Sequence, residues 1–224
     1  MTPVLELADL IKDYRGLRPL RIRELILEGG EAVALVGLDR AAAEVLVNLL
    51  TGAILPDAGT VRVSGRSTSS IGDSAEWLAL VDRFGLVTER AVLLEHLTVV
   101  QNLALPFDLE IEPPTDANRR RAEAIASEVG LPESAWAEAV ARLDAASVAR
   151  VRLGRALAHN PEVLLIEHVN AGLPRPSARE LGAAIRAIAA ARGAALLAIT
   201  ADDTFARTVA SRVLRHDAAT GRLR

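Results

Sequence analysis

Hydrophobic and polar residues follow two different periods along this chain, and each period predicts one type of element. Apolar residues at every second position predict half-buried strands over residues 4–10 and 20–27. Short, wholly apolar runs predict buried strands at residues 32–36, 85–87, 163–166, 195–200 and 213–216. Because buried strands that alternate with helices form parallel sheets covered on both faces, the pattern predicts an α/β fold.

Apolar residues at helical spacing predict the helices between these strands. One helix follows a turn at Gly37, and the others lie at residues 73–83, 93–105, 116–130, 147–159, 177–192 and 203–210. Asp116 is the predicted N-terminal cap of the helix over residues 116–130. Gly193 is expected to end the helix over residues 177–192.

Turn residues organise the first third of the chain. Glu28, Gly29 and Gly30 predict a tight hairpin turn into the strand at 32–36, and the turn at 56–59 leads into a strand over 60–64. We therefore expect a mixed sheet with an antiparallel flap over one edge.

The pattern contains no internal repeat and no flexible linker, so one domain over residues 1–224 is predicted. Residues 1–89 and 147–224 are expected to form an α/β core with a small β subdomain. Residues from about 90 to 146, here called the helical subdomain, carry charged faces and are expected to be inserted into that core.

Composition removes several classes of function. The chain has no cysteine, which excludes disulfides, thiolate metal sites and thiol catalysis. Its net charge of −3, scattered arginines and 3% aromatic content do not indicate a nucleic-acid partner. No apolar run approaches the length of a membrane span, so we expect a cytoplasmic chain without direct membrane insertion.

The stretch from residue 31 to residue 51 has the order strand, turn, helix, which directs backbone N–H groups and a helix dipole at the turn. In phosphate-binding loops this turn has the pattern G-x-x-x-x-G-K-[ST]. Gly37 begins the matching segment, but alanine stands at the lysine position. Lys12 is the only lysine of the chain, so no other lysine can serve the turn.

Several longer segments resemble the ATP-binding cassette (ABC) family in order and spacing. The run from Arg150 to Glu167 is similar to the family's RVALARAL…P.LLLLDEP, which includes its Walker B strand. The run LEHLTVVQNL from Leu94 resembles L-x-x-x-L-T-V-x-E-N, and LTGAILPDAGTV from Leu50 resembles L-x-G-x-x-x-P-D-x-G-x-[VI]. The resemblance implies a P-loop NTPase core with a mixed sheet, an antiparallel β subdomain and an inserted helical subdomain.

The resemblance also implies binding positions for ATP and Mg²⁺. Tyr14 matches the position that stacks on adenine, and two segments match the Walker A loop and the signature. These segments are Gly37, Leu38, Asp39, Arg40, Ala41, Ala42, Ala43, Glu44 and Val45 for the loop, and Leu143, Asp144, Ala145, Ala146 and Ser147 for the signature. Glu44 and Glu167 stand at the metal-binding positions.

The positions of catalytic residues are matched by other residue types. His168 stands at the general-base position, Glu89 at the Q-loop glutamine, Ala201 at the switch histidine and Pro174 at the D-loop aspartate. Phosphoryl transfer depends on positioning and on charge neutralisation by lysine and Mg²⁺, so the loss of lysine removes the main attraction for a triphosphate. Glu44 adds a carboxylate where a hydroxyl should hold the metal.

Three functions follow from these observations. The first is a non-hydrolytic subunit with a structural or regulatory role. The second is an active ATPase in which Arg40, Glu167 and His168 take over the phosphate, metal and base roles. The third is a module that binds another small anion or a protein partner.

The family also implies partners. A membrane permease would hold the chain at the inner face of the membrane, and the chain would pair with itself or with another ABC subunit. In such pairs each site combines the Walker motifs of one chain with the signature of the other. Because both halves are altered here, we expect that pairing with an active subunit would damage both composite sites.

Overall fold

The computed structural model of the chain describes residues 2–224, in which two sheets enclose one helix. The strands are β1 (Leu5–Lys12), β2 (Leu20–Leu27), β3 (Ala32–Val36), β4 (Ala58–Val63), β5 (Arg66–Ser67), β6 (Phe84–Thr88), β7 (Val163–Glu167), β8 (Ala195–Thr200), β9 (Arg212–Asp217) and β10 (Arg222–Leu223). The helices are α1 (Arg40–Leu50), α2 (Ser74–Val81), α3 (Val99–Ala104), α4 (Asp116–Glu128), α5 (Glu133–Trp136), α6 (Ala145–Leu157), α7 (Arg175–Arg192) and α8 (Asp203–Val209).

The predicted α/β architecture with a mixed sheet and an antiparallel flap is confirmed. The central sheet has the order β10-β9-β3-β8-β7-β6, and all its strands run parallel except β10, which pairs antiparallel with β9. The second sheet is antiparallel, in the order β2-β1-β4-β5. Parallel strands β3, β6, β7 and β8 therefore all end at one edge of the central sheet, where α/β proteins hold ligands.

Two apolar clusters cover the two faces of the central sheet. One face of the sheet, α1 and the antiparallel sheet share a cluster that includes Leu35, Leu46 and Leu7. The other face packs on α6, α7 and α8 and on the helical subdomain, in a cluster that includes Leu153 and Leu103. Because strand residues alternate between faces, each buried strand contributes to both clusters.

The predicted hairpin at residues 28–30 is wrong. Glu31 N–H does donate to the Glu28 carbonyl at 3.1 Å, so a turn is present. However, β2 pairs with β1 in the antiparallel sheet, whereas β3 pairs with β8 and β9 in the central sheet. The turn therefore passes the chain between two sheets, which local turn chemistry does not distinguish from a hairpin.

Capping side chains shift several predicted helix ends. The helix predicted over residues 93–105 is helical only at α3, where Thr98 and Gln101 form a capping box. Thr115, and not Asp116, caps α4, since its hydroxyl accepts the Asn118 N–H at 3.3 Å. The helix predicted from residue 147 begins at Ala145, because the Asp144 carboxylate caps it.

Candidate functional site

The turn after β3 positions the first part of the candidate site. Gly37 has a φ of 95°, in the left-handed region that favours glycine. A side chain there would bring its Cβ within 2.9 Å of the His216 carbonyl oxygen in β9. The next side chain, Leu38, is only 3% exposed and packs in the cluster around α1. The turn is therefore anchored by a core residue and by close contact with the neighbouring strand.

Helix α1 begins only three residues after Gly37, at Arg40. The carboxylate of Asp39 caps it by accepting the Ala42 N–H at 2.8 Å, and the Asp39 carbonyl accepts the Ala43 N–H at 2.9 Å. These amides lie in the segment that matches the phosphate-binding loop. In this structure, both donate to Asp39 within the chain itself.

A guanidinium joins the two positions predicted to hold a metal. Arg90 Nη1 lies 2.5 Å from Glu44 Oε1, and Arg90 Nη2 lies 2.6 Å from Glu167 Oε2. Glu44 projects from the first turns of α1, Glu167 ends β7, and Arg90 follows β6. Arg90 is therefore a cation placed between three elements at the carboxyl edge of the sheet.

The surroundings of this cluster favour the charged pairs. Glu167 is only 7% exposed, so its carboxylate requires a compensating partner. Burial lowers the pKa of Arg90, but the nearby carboxylates of Glu167 and Glu44 more than offset that effect and leave the pKa above its ordinary value. Within residues 2–224, no group of three or more His, Asp or Glu side chains is arranged to hold a metal ion.

Arg40 and Glu89 form a second ion pair beside this cluster. Arg40 Nη2 lies 3.0 Å from Glu89 Oε2, and both side chains are largely exposed to solvent. Glu89, which stands at the position of the Q-loop glutamine, is therefore the partner of Arg40. Arg40 does not turn inward to offset the missing lysine, since it pairs at the surface instead.

His168 follows Glu167 directly and has a left-handed backbone, with a φ of 46°. Its N–H donates to the Ile199 carbonyl at 2.9 Å, and its carbonyl accepts the Ala171 N–H at 2.9 Å. The residue is only 9% exposed, and its ring atom Nε2 has no hydrogen-bond partner within residues 2–224. Burial lowers the pKa of His168 below its ordinary value of 6.5, although the charge of Glu167 acts in the opposite direction. The imidazole is therefore neutral at pH 7.

The signature-like segment is capped in the same way as the loop. The Asp144 carboxylate accepts the Ser147 N–H at 2.7 Å, which caps α6. Hydrogen bonds from Ser147 lower the pKa of Asp144, so this cap is ionised at neutral pH. Ala145 and Ala146 form the first turn of the helix behind it.

Within residues 2–224, the remaining sequence-predicted positions form no hydrogen bond with the Arg90 side chain. Ala201 lines a separate cavity of about 320 Å³ together with Arg175 and Arg179 of α7. Pro174 caps the start of α7 and provides no side-chain hydrogen bond. Tyr14 is half-buried against the cluster around α1, and its ring covers Gly16. Burial, and then the charge of Asp39, raise the pKa of Tyr14.

Arg90 is a residue of the site that was not predicted, although the sequence contains a signal for it. Glu44 and Glu167 add carboxylates to the ends of elements that meet at one edge of the sheet. Buried carboxylates require a cation, and Arg90 is the first arginine after β6, whose end lies at that edge.

Comparison with known proteins finds a matching family model and relatives that agree with it. The ABC transporter family model matches residues 20–168. The methionine import ATP-binding protein MetN of Mesorhizobium japonicum is 31% identical over 215 residues, which are 96% of this chain and 58% of MetN. MetN of Brucella abortus is 28% identical over 95% of this chain and 57% of its own length. The chain thus spans less than two thirds of these MetN proteins.

A shorter relative and two solved structures match over most of their length. The lipoprotein-releasing system ATP-binding protein LolD of Saccharophagus degradans is 27% identical, over 93% of this chain and 92% of LolD. The dimeric bacterial ABC transporter cassette MJ0796 superposes with a TM-score of 0.80 at 21% identity, over 98% of this chain and 96% of MJ0796. The protein cbiO1 of Clostridium perfringens, part of the ABC transporter complex cbiONQ, superposes with a TM-score of 0.85 at 18% identity, over 100% of this chain and 88% of cbiO1.

Proposed function

Because this chain belongs to the ABC transporter family, whose ATP-binding subunits bind ATP and Mg²⁺, we propose that it is a subunit of this type that does not hydrolyse ATP. In this proposal the chain has also lost tight binding of ATP with Mg²⁺. Its role is structural or regulatory, within a complex that includes a membrane permease.

The observation that carries this proposal is the position of Arg90 between Glu44 and Glu167. In this family the corresponding side chains face the metal and the phosphates. Here the two carboxylates share one guanidinium of the same protein, so the cluster stays net negative. A triphosphate would meet two acidic residues without the lysine that neutralises it in a phosphate-binding loop.

The two capping aspartates support the same conclusion. Free N–H groups at a helix N-terminus attract phosphate because they are unpaired and lie at the positive end of the helix dipole. Asp39 accepts one such N–H from α1, and Asp144 accepts one from α6. Each carboxylate also places a negative charge where an incoming phosphate would have to approach.

Membership of the family and the roles of the relatives support the partners in this proposal. MetN and LolD are named as ATP-binding proteins of an import system and of a lipoprotein-releasing system. We place this chain at the cytoplasmic face of a membrane, bound to a permease and paired with a second ABC subunit or a second copy. No helix within residues 2–224 is long and apolar enough to cross a membrane.

Calorimetry of ATP binding in the presence of Mg²⁺, combined with a phosphate-release assay, tests the loss of activity. LolD of Saccharophagus degradans serves as the positive control, because it is an ATP-binding relative of nearly the same length. We expect no heat of binding at micromolar ATP and no phosphate release. Micromolar binding with turnover that disappears in His168→Ala would instead establish an active enzyme with an atypical site.

A further inference from the structure

A cavity of about 320 Å³ lies between the first turns of α7 and the segment that leads from β8 into α8. Ala178 of α7 and Phe205 of α8 are buried and give the cavity part of its apolar wall. The rest of its lining is polar and charged. Arg90 and its two carboxylate partners do not line this cavity, so it is distinct from the cluster described above.

Two arginines of α7 line this cavity. Arg175 and Arg179 are four residues apart, so their side chains lie on the same face of the helix. In the part of the chain that the structure describes, neither guanidinium forms an ion pair or a hydrogen bond. Two cations therefore line one cavity without a counter-charge of their own.

The two carboxylates in the lining of the cavity are bound to other groups. Asp203 Oδ1 lies 2.5 Å from Arg215 Nη2. Asp202 Oδ1 caps α8, because it accepts the Thr204 N–H at 2.7 Å and the Phe205 N–H at 3.1 Å. When Arg215 is counted with the lining residues, three positive charges stand against two negative charges. The cavity therefore has a net positive charge.

The start of α7 makes these arginines unfavourable for the chain alone. The helix begins after Pro174, with no side-chain cap and no acidic residue in its first turn. Arg175 lies in that turn, at the positive end of the helix dipole, where a cation is destabilising. Like charges four residues apart on a helix also repel each other. An anion between the two guanidinium groups would relieve both effects.

From this arrangement we infer that the cavity binds a small phosphate monoester in its doubly charged form. A guanidinium can donate two parallel N–H groups to two phosphate oxygens, and two guanidinium groups match the two negative charges of the ligand. The volume lies near the lower end, about 300 Å³, of the range for ligand pockets, which favours a small molecule. The inference goes beyond the proposed function, and it holds whether or not the chain hydrolyses ATP.

Saturation-transfer difference NMR of methyl phosphate, in a phosphate-free buffer, measures this binding through the methyl protons of the probe. At about pH 7.5 methyl phosphate carries nearly two negative charges, because the second pKa of a phosphate monoester is about 6. Dimethyl phosphate, which carries one charge, and succinate, which carries two separate carboxylates, are the comparison probes.

We expect methyl phosphate to bind about tenfold more tightly than either comparison probe, as one additional charge-assisted contact would provide. Arg179→Gln should weaken its binding by about the same factor, and Arg179→Lys by less, because lysine keeps the charge but not the paired N–H groups. Arg186→Gln is the matched control. It removes the same charge from an exposed position of α7 outside the cavity and should leave the affinity unchanged.

Melting temperatures distinguish a binding role from a structural one. Because Arg179 forms no ion pair or hydrogen bond within residues 2–224, Arg179→Gln should melt no lower than the wild type in phosphate-free buffer. Methyl phosphate should raise the melting temperature of the wild type but not that of Arg179→Gln. A lower melting temperature of the variant without ligand would overturn the inference, since the arginine would then serve the fold itself.

Equal binding of the three probes, the absence of saturation transfer, or equal effects of Arg179→Gln and Arg186→Gln would also overturn the inference. Tighter binding of succinate would do the same, because the ligand would then be a dicarboxylate. Binding of ATP with Mg²⁺ that Arg179→Gln leaves unchanged would contradict the proposed function alone. The two failures are therefore distinguishable.

Discussion

Arg90 is the residue on which the charge balance of the candidate site depends. It forms ion pairs with Glu167, which is 7% exposed, and with Glu44, which is largely exposed. A buried carboxylate that loses its partner is destabilising, whereas an exposed pair contributes little. The Arg90–Glu167 and Arg40–Glu89 pairs therefore allow the stability contributions of a buried and an exposed ion pair to be compared within one site.

We predict that Arg90→Met lowers the free energy of unfolding by about 1–3 kcal/mol, because Glu167 is left without its hydrogen-bonded cation. Arg40→Met should change it by less than about 1 kcal/mol, since the Arg40–Glu89 pair is exposed. Urea unfolding measures both. Adding Glu167→Gln to Arg90→Met should restore part of the loss, and no recovery would contradict the assigned role of the carboxylate.

His168 predicts a pH dependence of stability. Its pKa in the folded chain lies below the ordinary 6.5, so the unfolded chain binds the proton more tightly. His168 therefore stabilises the fold above about pH 6.5, and this stability is lost as the pH falls toward the lowered folded-state pKa, with a slope of at most about 1.4 kcal/mol per pH unit.

Unfolding measured between pH 7 and the acidic range checks this prediction. His168→Asn should flatten the loss of stability on acidification, and asparagine tolerates the left-handed backbone at this position. His96→Asn, at an exposed position, is the control and should leave the slope of the wild type unchanged. An unchanged slope in His168→Asn would exclude His168 as the group responsible.

At the scale of elements, the early start of α1 determines what the turn after β3 can do. Only Leu38 and Asp39 separate Gly37 from the helix. The position that matches the missing lysine, Ala43, therefore already lies within the helix, where its N–H is bonded to the Asp39 carbonyl. Changing side chains without moving the helix start leaves no open loop of N–H groups for a phosphate.

We predict that Ala43→Lys with Glu44→Ser does not raise the affinity for ATP with Mg²⁺ in calorimetry, because Asp39 still occupies the Ala42 N–H. Adding Asp39→Ala, Arg40→Gly and Ala42→Gly should raise the affinity, since the loop then loses its cap and gains two glycines. A gain already present in the double variant would show that the early helix start is not the obstacle.

The strands and helices could largely be predicted from the sequence. The spacing of apolar residues indicates which side chains are buried, and that spacing differs between strands and helices. The ends of α3, α4 and α6 could not, because they depend on which of several nearby polar residues forms the cap. The matching of positions assigns Glu44 and Glu167 to one site, and in the structure both pair with Arg90. It did not reveal Arg90, since a long side chain can reach partners that lie far away in the sequence.

At the scale of the whole molecule, one apolar cluster extends across the predicted boundary of the helical subdomain. It contains Leu103 and Ile125 from that subdomain together with Leu153 and Ile185 from the core. Arg192 of α7 adds a bidentate link to Glu128 of α4, at 2.7 and 2.5 Å. Shared burial favours unfolding as a single unit.

The one-domain organisation remains a prediction, and calorimetry can test it. We expect one unfolding transition whose calorimetric and van't Hoff enthalpies agree. Arg192→Ala should lower the melting temperature without splitting that transition, because the apolar cluster remains continuous. Two resolved transitions, in the wild type or in this variant, would show that the helical subdomain folds independently.

The cap that Asp39 places on α1 also bears on how this chain can change over time. Any single exchange toward a phosphate loop removes the cap, a counter-charge or a packed helical residue, while the compensating ligand contact is still missing. Each first step thus costs stability before any ligand contact compensates for it. The Asp39 cap therefore opposes a stepwise change toward a phosphate-binding loop. Such a change requires several substitutions acquired together, because the intermediates with one substitution are less stable.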